Sequence, residues 1–311
     1  MRTAWVFAFL AVMILFSIAP GSSGIFQSAQ SSQEAPTVTV GAWLINIEKV
    51  DLPANSYTAD FYLWFRFNAS EVNPRNFEFI NGKPTVEKIS EAEGYLEYRV
   101  KGTFVKTFDF GNYPFENHEL TFELEDKELN ATSLTYEPDT TYSGLDETLN
   151  IARWSINGFG VNVLEHSYMD ESYSRFIFSV NIARPILSSF FKSLLPVMVI
   201  TTISLLSFFI SPQNFSQRIG LGVTTLLSAT TFHLALLSGI PPTGYLTMAD
   251  RIMLSIYAIF LYNLAVSVYV MKLVDAKKTD DAARFNRKAL KILPLIIVTM
   301  AIAQLVVTFV S

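Results

Sequence analysis

The stretch "RIGLGVTTLLSATTFHLALLSGIPP", Arg218–Pro242, is apolar enough to lie in a membrane, yet it carries hydroxyl groups at helical spacing. A helix advances about 100° per residue. Taking Gly220 as origin, Thr224, Leu227, Thr231, Ala235 and Ser238 fall within roughly 60° of it, and Leu234 sits at the edge of the same face. His233 lies near the back, towards other helices. Lipid satisfies no hydroxyl, so this face meets protein or water. Two readings follow. Small and hydroxyl residues at four-residue spacing let helices pack closely. Alternatively, copies of the helix enclose a water-filled pore, wetted by the small polar side chains and gated by dewetting at a ring of Leu227. One such helix cannot enclose a channel, so the pore reading requires a ring of subunits with cyclic symmetry.

Other site chemistry is thin. There is no cysteine, which excludes disulfides, thiolate metal sites and cysteine nucleophiles. The three histidines are scattered, and no serine triad, phosphate loop or zinc signature is present. The expectation is therefore no enzyme, no cofactor and no metal. Between Ile25 and Ala183 the chain holds 24 acids against 11 Lys/Arg. Such a domain concentrates cations near its surface and argues against nucleic acid, which needs a basic face.

The elements that must position the stripe read off in order. Residues 1–30 have the positive start, apolar core and small-residue end of a signal peptide followed by a loose leader. Residues 37–183 hold short alternating or aromatic-rich stretches such as "YTADFYLWFRF" and "SRFIFSVNI", separated by turn-like "NPRN", "NGKP" and "EPDTTYSG"; this predicts a β-sandwich. Residues 184–311 change texture. Four apolar helices are predicted, at 186–210, 216–239, 250–272 and 289–310, each of spanning length. The region Lys272–Lys291 carries seven Lys/Arg against three acids, which places the short loop 273–288 in the cytoplasm and the β-domain and C-terminus outside. Pro196 is expected to kink the first helix, and Lys192 to reach the headgroups or the domain interface.

At this point several stretches resemble a known family. "DFGNYPFENHELTFEL" (Asp109–Leu124) is similar to the Pro-loop of the pentameric ligand-gated ion channels, the Cys-loop receptor superfamily. Its core is Tyr113, Pro114, Phe115 and Glu116, and the positions of the flanking cysteines hold Lys106 and Leu120, as in cysteine-free prokaryotic members. "FEFIN", "VGAWLINIEKVD", Arg184-Pro185, "FSQR" and Pro241 extend the likeness. The resemblance covers about Thr37–Val310. It implies an all-β extracellular sandwich followed by an all-α four-helix transmembrane domain, assembled as a cyclic homopentamer in membrane lipid.

The same resemblance implies roles. The pore would be lined by Gln217, Gly220, Thr224, Leu227, Thr231, Leu234, Ala235 and Ser238, with Leu227 the gate. Ligand would sit between subunits under the hairpin Leu164–Phe176, contacted by Tyr168 and Tyr173, with Trp64 and Arg66 supplying the opposite wall. Asp51, Tyr113–Glu116, Arg184, Pro241, Pro242 and Tyr245 would couple the sandwich to the pore, because an arginine leaving bulk water needs carboxylate partners. Gly244 stands where many members have a further proline. "FELEDKELNATS" lacks the aromatic usual in amine-binding members, so an amine agonist is in doubt. Glu125, Asp126 and Glu128 are candidates there for proton or divalent-cation sensing. Gln217 makes the inner mouth neutral, and the acidic ectodomain favours monovalent cations. The expected function is thus a ligand- or proton-gated, cation-preferring channel with an unknown small-molecule agonist or protons as stimulus. The alternative is a non-conducting membrane sensor with a β-sandwich ectodomain.

Overall fold

The computed structural model describes residues 35–310. The expected signal peptide and leader, residues 1–30, lie outside the described residues. Ten strands come first: β1 (Thr37–Asp51), β2 (Ser56–Phe67), β3 (Phe77–Phe79), β4 (Thr85–Ala92), β5 (Tyr95–Val105), β6 (Asn117–Asp126), β7 (Thr135–Pro138), β8 (Gly144–Leu145), β9 (Ser155–Tyr168) and β10 (Glu171–Ala183). One sheet runs β4-β5-β2-β1-β7 with β8 beside β1, and the other runs β3-β6-β10-β9. Period-two alternation along β10 buries Phe176, Phe178, Val180 and Ile182. β6 presents Leu120, Phe122 and Leu124 to the same core.

The two sheets meet through aromatic rings. Phe61 of β2 stacks on Phe122 of β6 with centroids 4.3 Å apart, and Phe104 of β5 meets Phe122 edge-on at 4.9 Å. Each buried ring contributes a large apolar area. The sandwich is therefore held by its core, without a disulfide. Leu120, one of the two positions that the resemblance sets against the flanking cysteines, is fully buried in that core.

Four helices follow: α1 (Ile186–Phe209), α2 (Phe215–Leu237), α3 (Met248–Asp275) and α4 (Thr279–Val310). Among the described residues, α1, α2 and α3 are long and apolar enough to cross a membrane. α1 makes a π-turn at Phe190–Leu194, just before Pro196, whose missing N–H removes a hydrogen bond of a regular helix. α3 opens on a capping box in which Thr247 and Asp250 satisfy each other's backbone N–H. Val197 and Phe208 of α1, Ala229 of α2, Met253 and Phe260 of α3, and Ala289 and Leu293 of α4 form the helical core. Ile203, Leu254, Leu261, Leu295 and Ile302 face outward.

The expected loop 273–288 is mostly helical. α3 continues to Asp275, and α4 begins at Thr279, leaving only Ala276–Lys278 between them. Lys277, at φ 59°, turns the chain there. Charge made the segment read as loop, but "TDDAARFNRKALK" consists largely of good helix formers with acids in the first turn, where the helix dipole favours them. It buries Ala282, Asn286 and Ala289.

Candidate pore helix and gating interface

α2 has two unlike faces. Arg218, Gly222, Thr225 and Ala229 are buried. Gln217, Gly220, Thr224, Leu227, Thr231, Leu234, Ala235 and Ser238, the whole predicted stripe, are exposed on the isolated chain. Leu227 and Leu234 stand out as large apolar side chains, 67% and 68% exposed. Thr224, Thr231 and Ser238 do not reach a neighbouring helix. The carbonyl of Thr224 accepts from Ser228, and Thr231 and Ser238 donate to carbonyls of their own helix, at 3.1 Å to Leu227 and 2.7 Å to Ala235. A packing role within one chain is thus absent from this face. The opposite face sits on α3: a Cβ at Gly222 would touch Leu264 at 3.6 Å. His233 is held against α3, with Nδ1 3.1 Å from Tyr257 Oη and Nε2 3.0 Å from Asp250 Oδ1.

The Pro-loop docks on the outer ends of α2 and α3. Tyr113 Oη donates to the Leu236 carbonyl at 2.8 Å. The N–H groups of Met248 and Ala249 donate to the carbonyls of Gly111 and Tyr113 at 2.9 and 3.0 Å. Tyr245 Oη accepts from the Phe110 N–H at 2.9 Å and donates to Asp109 Oδ1 at 3.0 Å. Tyr113-Pro114 is a cis peptide. Pro241, Pro242 and Tyr245 share one outer pocket with Asp250. These contacts join the sandwich to the ends of the stripe-bearing helix and its neighbour through fixed backbone groups.

At the membrane threshold, Arg184 Nε donates to Glu116 Oε1 at 2.8 Å, and the Arg184 N–H donates to the Glu116 carbonyl at 3.1 Å. Glu116 is buried, and its Oε2 has no hydrogen-bond partner. The Arg184 guanidinium lies 4.7 Å from the centre of the Trp154 ring, a cation–π contact. Asp51 does not reach Arg184. It pairs with Lys49 and caps the Ala54 N–H, although it lines the same cleft as Trp154 and Arg184. Also against Trp154 lies His118, its ring 5.3 Å from Trp154, 4.8 Å from Phe108 and 5.9 Å from Phe110. Its Nε2 is buried without a partner. Burial among these rings, with the Arg184 charge nearby, lowers the imidazole pKa to about 4. Trp154 and His118 carry no local sequence pattern that marks them as neighbours of Arg184.

The hairpin β9–β10 brings Tyr168 and Tyr173 together, ring centroids 5.9 Å apart. Beneath them, Arg175 Nε donates to Glu125 Oε1 at 2.6 Å, Nη1 to Glu123 Oε2 at 3.1 Å and Nη2 to Tyr168 Oη at 2.8 Å. Glu125 is therefore a buried structural acid, paired with a cation. Asp126 is buried and caps the N–H groups of Glu128 and Leu129. Glu125, Asp126 and Glu128 thus do not form the open carboxylate pair expected for proton or divalent-cation sensing. Trp64 and Arg66 lie on the other sheet and do not meet the tyrosines within one chain. Trp64 is 7% exposed, lies against Gly41 and donates to Asp139 Oδ2 at 3.0 Å. It is packed under its own chain and offers no open wall. Arg66 also donates to Asp139 and lies 4.8 Å from the Tyr142 ring centre. Arg175 and Asp139, which organise these two regions, have nothing in their local sequence to single them out.

Among the described residues no cluster of three metal-binding side chains is found.

Comparison with known proteins agrees with this geometry. Residues 193–303 match the family described as neurotransmitter-gated ion-channel transmembrane region. A γ-aminobutyric acid receptor subunit beta-like of Drosophila melanogaster is 26% identical over 51% of this chain and 32% of its own length. The pH-sensitive chloride channel 2 of the same fly is 26% identical over 58% of this chain and 36% of its own. A proton-gated ion channel of Gloeobacter violaceus is 22% identical over 71% of this chain and 62% of its own. The chain spans less than two thirds of the length of these relatives. With a β-sandwich ectodomain ahead of membrane-spanning helices, it is a multi-pass membrane protein. Its helical region matches that of the neurotransmitter-gated ion channels, the Cys-loop receptor superfamily, and the chain carries no cysteine.

Proposed function

We propose that the protein is a gated ion channel, a homopentamer whose pore is lined by α2, with α4 as the fourth spanning helix. The observation that carries this is the continuous exposed face from Gln217 to Ser238. It is polar and small except where Leu227 and Leu234 interrupt it, on a membrane helix whose other face is packed. Five such faces around an axis would make a wetted path with an apolar constriction at Leu227. Cation preference follows from the acidic ectodomain and from a lining without any basic side chain.

Rearrangement of the sandwich would reach α2 through the Tyr113–Leu236 and Tyr245–Asp109 contacts. Of a small-molecule agonist and protons, the reading favours protons. His118 sits buried at the coupling interface, and two relatives are by name proton-gated and pH-sensitive. A proton on His118 would place a second cation beside Arg184, with Lys106 also near and Asp109 opposing. A state that relaxes this packing would then gain population.

The test is membrane current from purified protein under a NaCl gradient, at neutral pH and after acidification, for the unmodified chain and Leu227→Ala. Acid-evoked current, and constitutive current in Leu227→Ala, are expected. Assembled oligomers that pass no current in either form would return the stripe to a packing role and the protein to a non-conducting sensor.

A further inference from the structure

The only cation of α2 does not face water. Arg218 follows Gln217 at the inner end of the helix and is fully buried. No carboxylate pairs with it among the described residues. Nη2 donates to Asn286 Oδ1 at 2.6 Å, Nη1 reaches the Ile210 carbonyl at 3.5 Å, and Nε has no partner. A buried guanidinium held by so few acceptors is expensive, and its position depends on each of them. Asn286, on α4, is itself fixed: Nδ2 donates to the Phe208 carbonyl at 2.8 Å, which aims Oδ1 at Arg218. The carbonyls that close α1 supply the remaining negative potential.

Water and room are close by. Gln217 and Gly220, on either side of Arg218 in the chain, are exposed on the stripe face, and a side chain at Gly220 would meet nothing within 4 Å. Arg218 starts on the packed face, at the inner end of α2 and in touch with the carbonyl that precedes the exposed turn 211–214, so a guanidinium freed from its pocket would reach solvent at that inner end and add its charge there.

We propose that Asn286 is a positioning residue for ion selectivity: it holds the Arg218 charge out of the conduction path. This rests on the pore reading above. The neutral mouth that favours cations is then a consequence of one amide on α4, outside the pore helix. Without that acceptor, each subunit would present a guanidinium beside Gln217, and a ring of fixed cations selects anions.

The experiment is the reversal potential under a NaCl gradient for the full chain and three variants. Asn286→Leu keeps the shape and removes the acceptor. Its chloride-to-sodium permeability ratio should rise at least about threefold, with reversal moving toward the chloride equilibrium potential. Asn286→Asp replaces the acceptor by a carboxylate that pairs with arginine, and should keep the unmodified selectivity. Arg218→Gln combined with Asn286→Leu removes the charge and should restore cation preference, or restore current if Asn286→Leu alone is blocked. A conducting Asn286→Leu channel with unchanged reversal overturns the proposal. So does loss of current in both Leu variants while the unmodified chain conducts, since the contact would then be only structural. If the unmodified chain itself passes no current, the pore reading fails and the inference falls with it.

Discussion

Strand β10 has an arginine near each end, and the two are held differently. At its start Arg175 is clasped by Glu125, Glu123 and the Tyr168 hydroxyl, a charge network that fixes the hairpin. Just past its end Arg184 has one carboxylate, Glu116, plus a tryptophan face and a backbone contact. The first is over-determined and the second under-determined. A buried ion pair with few partners gives little net stability, so fewer contacts oppose its rearrangement. The hairpin end is held by more charged partners, and under the proposed gating the membrane end is the one that would rearrange.

Breaking the hairpin network should give the largest stability effect. Arg175→Leu strands the buried Glu125 beside Glu123 and should destabilise the fold by about 3–5 kcal/mol, read as a fall in the denaturation midpoint of the full chain in detergent. A change under 1 kcal/mol would mean that the network is not the clamp described here.

The membrane end should respond to acid. His118 has a folded pKa of about 4. An unfolded histidine titrates near 6.5. The unfolded chain therefore binds the extra proton first, and stability falls as pH drops from about 6.5 towards 4, by on the order of 3 kcal/mol. Melting curves of unmodified chain and His118→Phe between neutral and mildly acidic pH should differ in this slope, the variant being flatter. Equal slopes would remove His118 as the acid-sensitive group.

Two smaller substitutions sharpen the comparison. Trp154→Leu removes the ring under Arg184, worth roughly 0.5–2 kcal/mol. Because the joint is under-determined, it should shift the acid midpoint of the current more visibly than the melting temperature. Tyr168→Phe removes one oxygen shared by Arg175 and Glu125, worth about 1 kcal/mol. It should lower stability slightly and leave the current unchanged at saturating acid. The reverse pattern in either variant would undo the assignment of rigid and mobile ends.

The strands and helices were legible because the alternation in "SRFIFSVNI" and the spacing from Gly220 to Ser238 are local properties. The Pro-loop and Arg184-Pro185 were legible as motifs. The reading failed where contact partners are distant in sequence. Trp64 looked available because an aromatic on an alternating strand has two faces, and only Asp139 and Gly41 show which one is covered. Glu125 looked like a free acid until Arg175, 50 residues away, was brought beside it by the β6–β10 pairing.

The sequence by itself determined what each segment is, since period, length and charge bias follow from neighbouring residues. It set the sandwich, the long apolar helices and the polar stripe. Only the tertiary structure decided which charges are free. Asp51 pairs with Lys49 and not Arg184, Glu125 pairs with Arg175, and Arg218 sits on the packed face of α2 against Asn286 of α4. The reason is physical. Burial and pairing set the energy of a charge, and both depend on residues that the chain brings together from far apart.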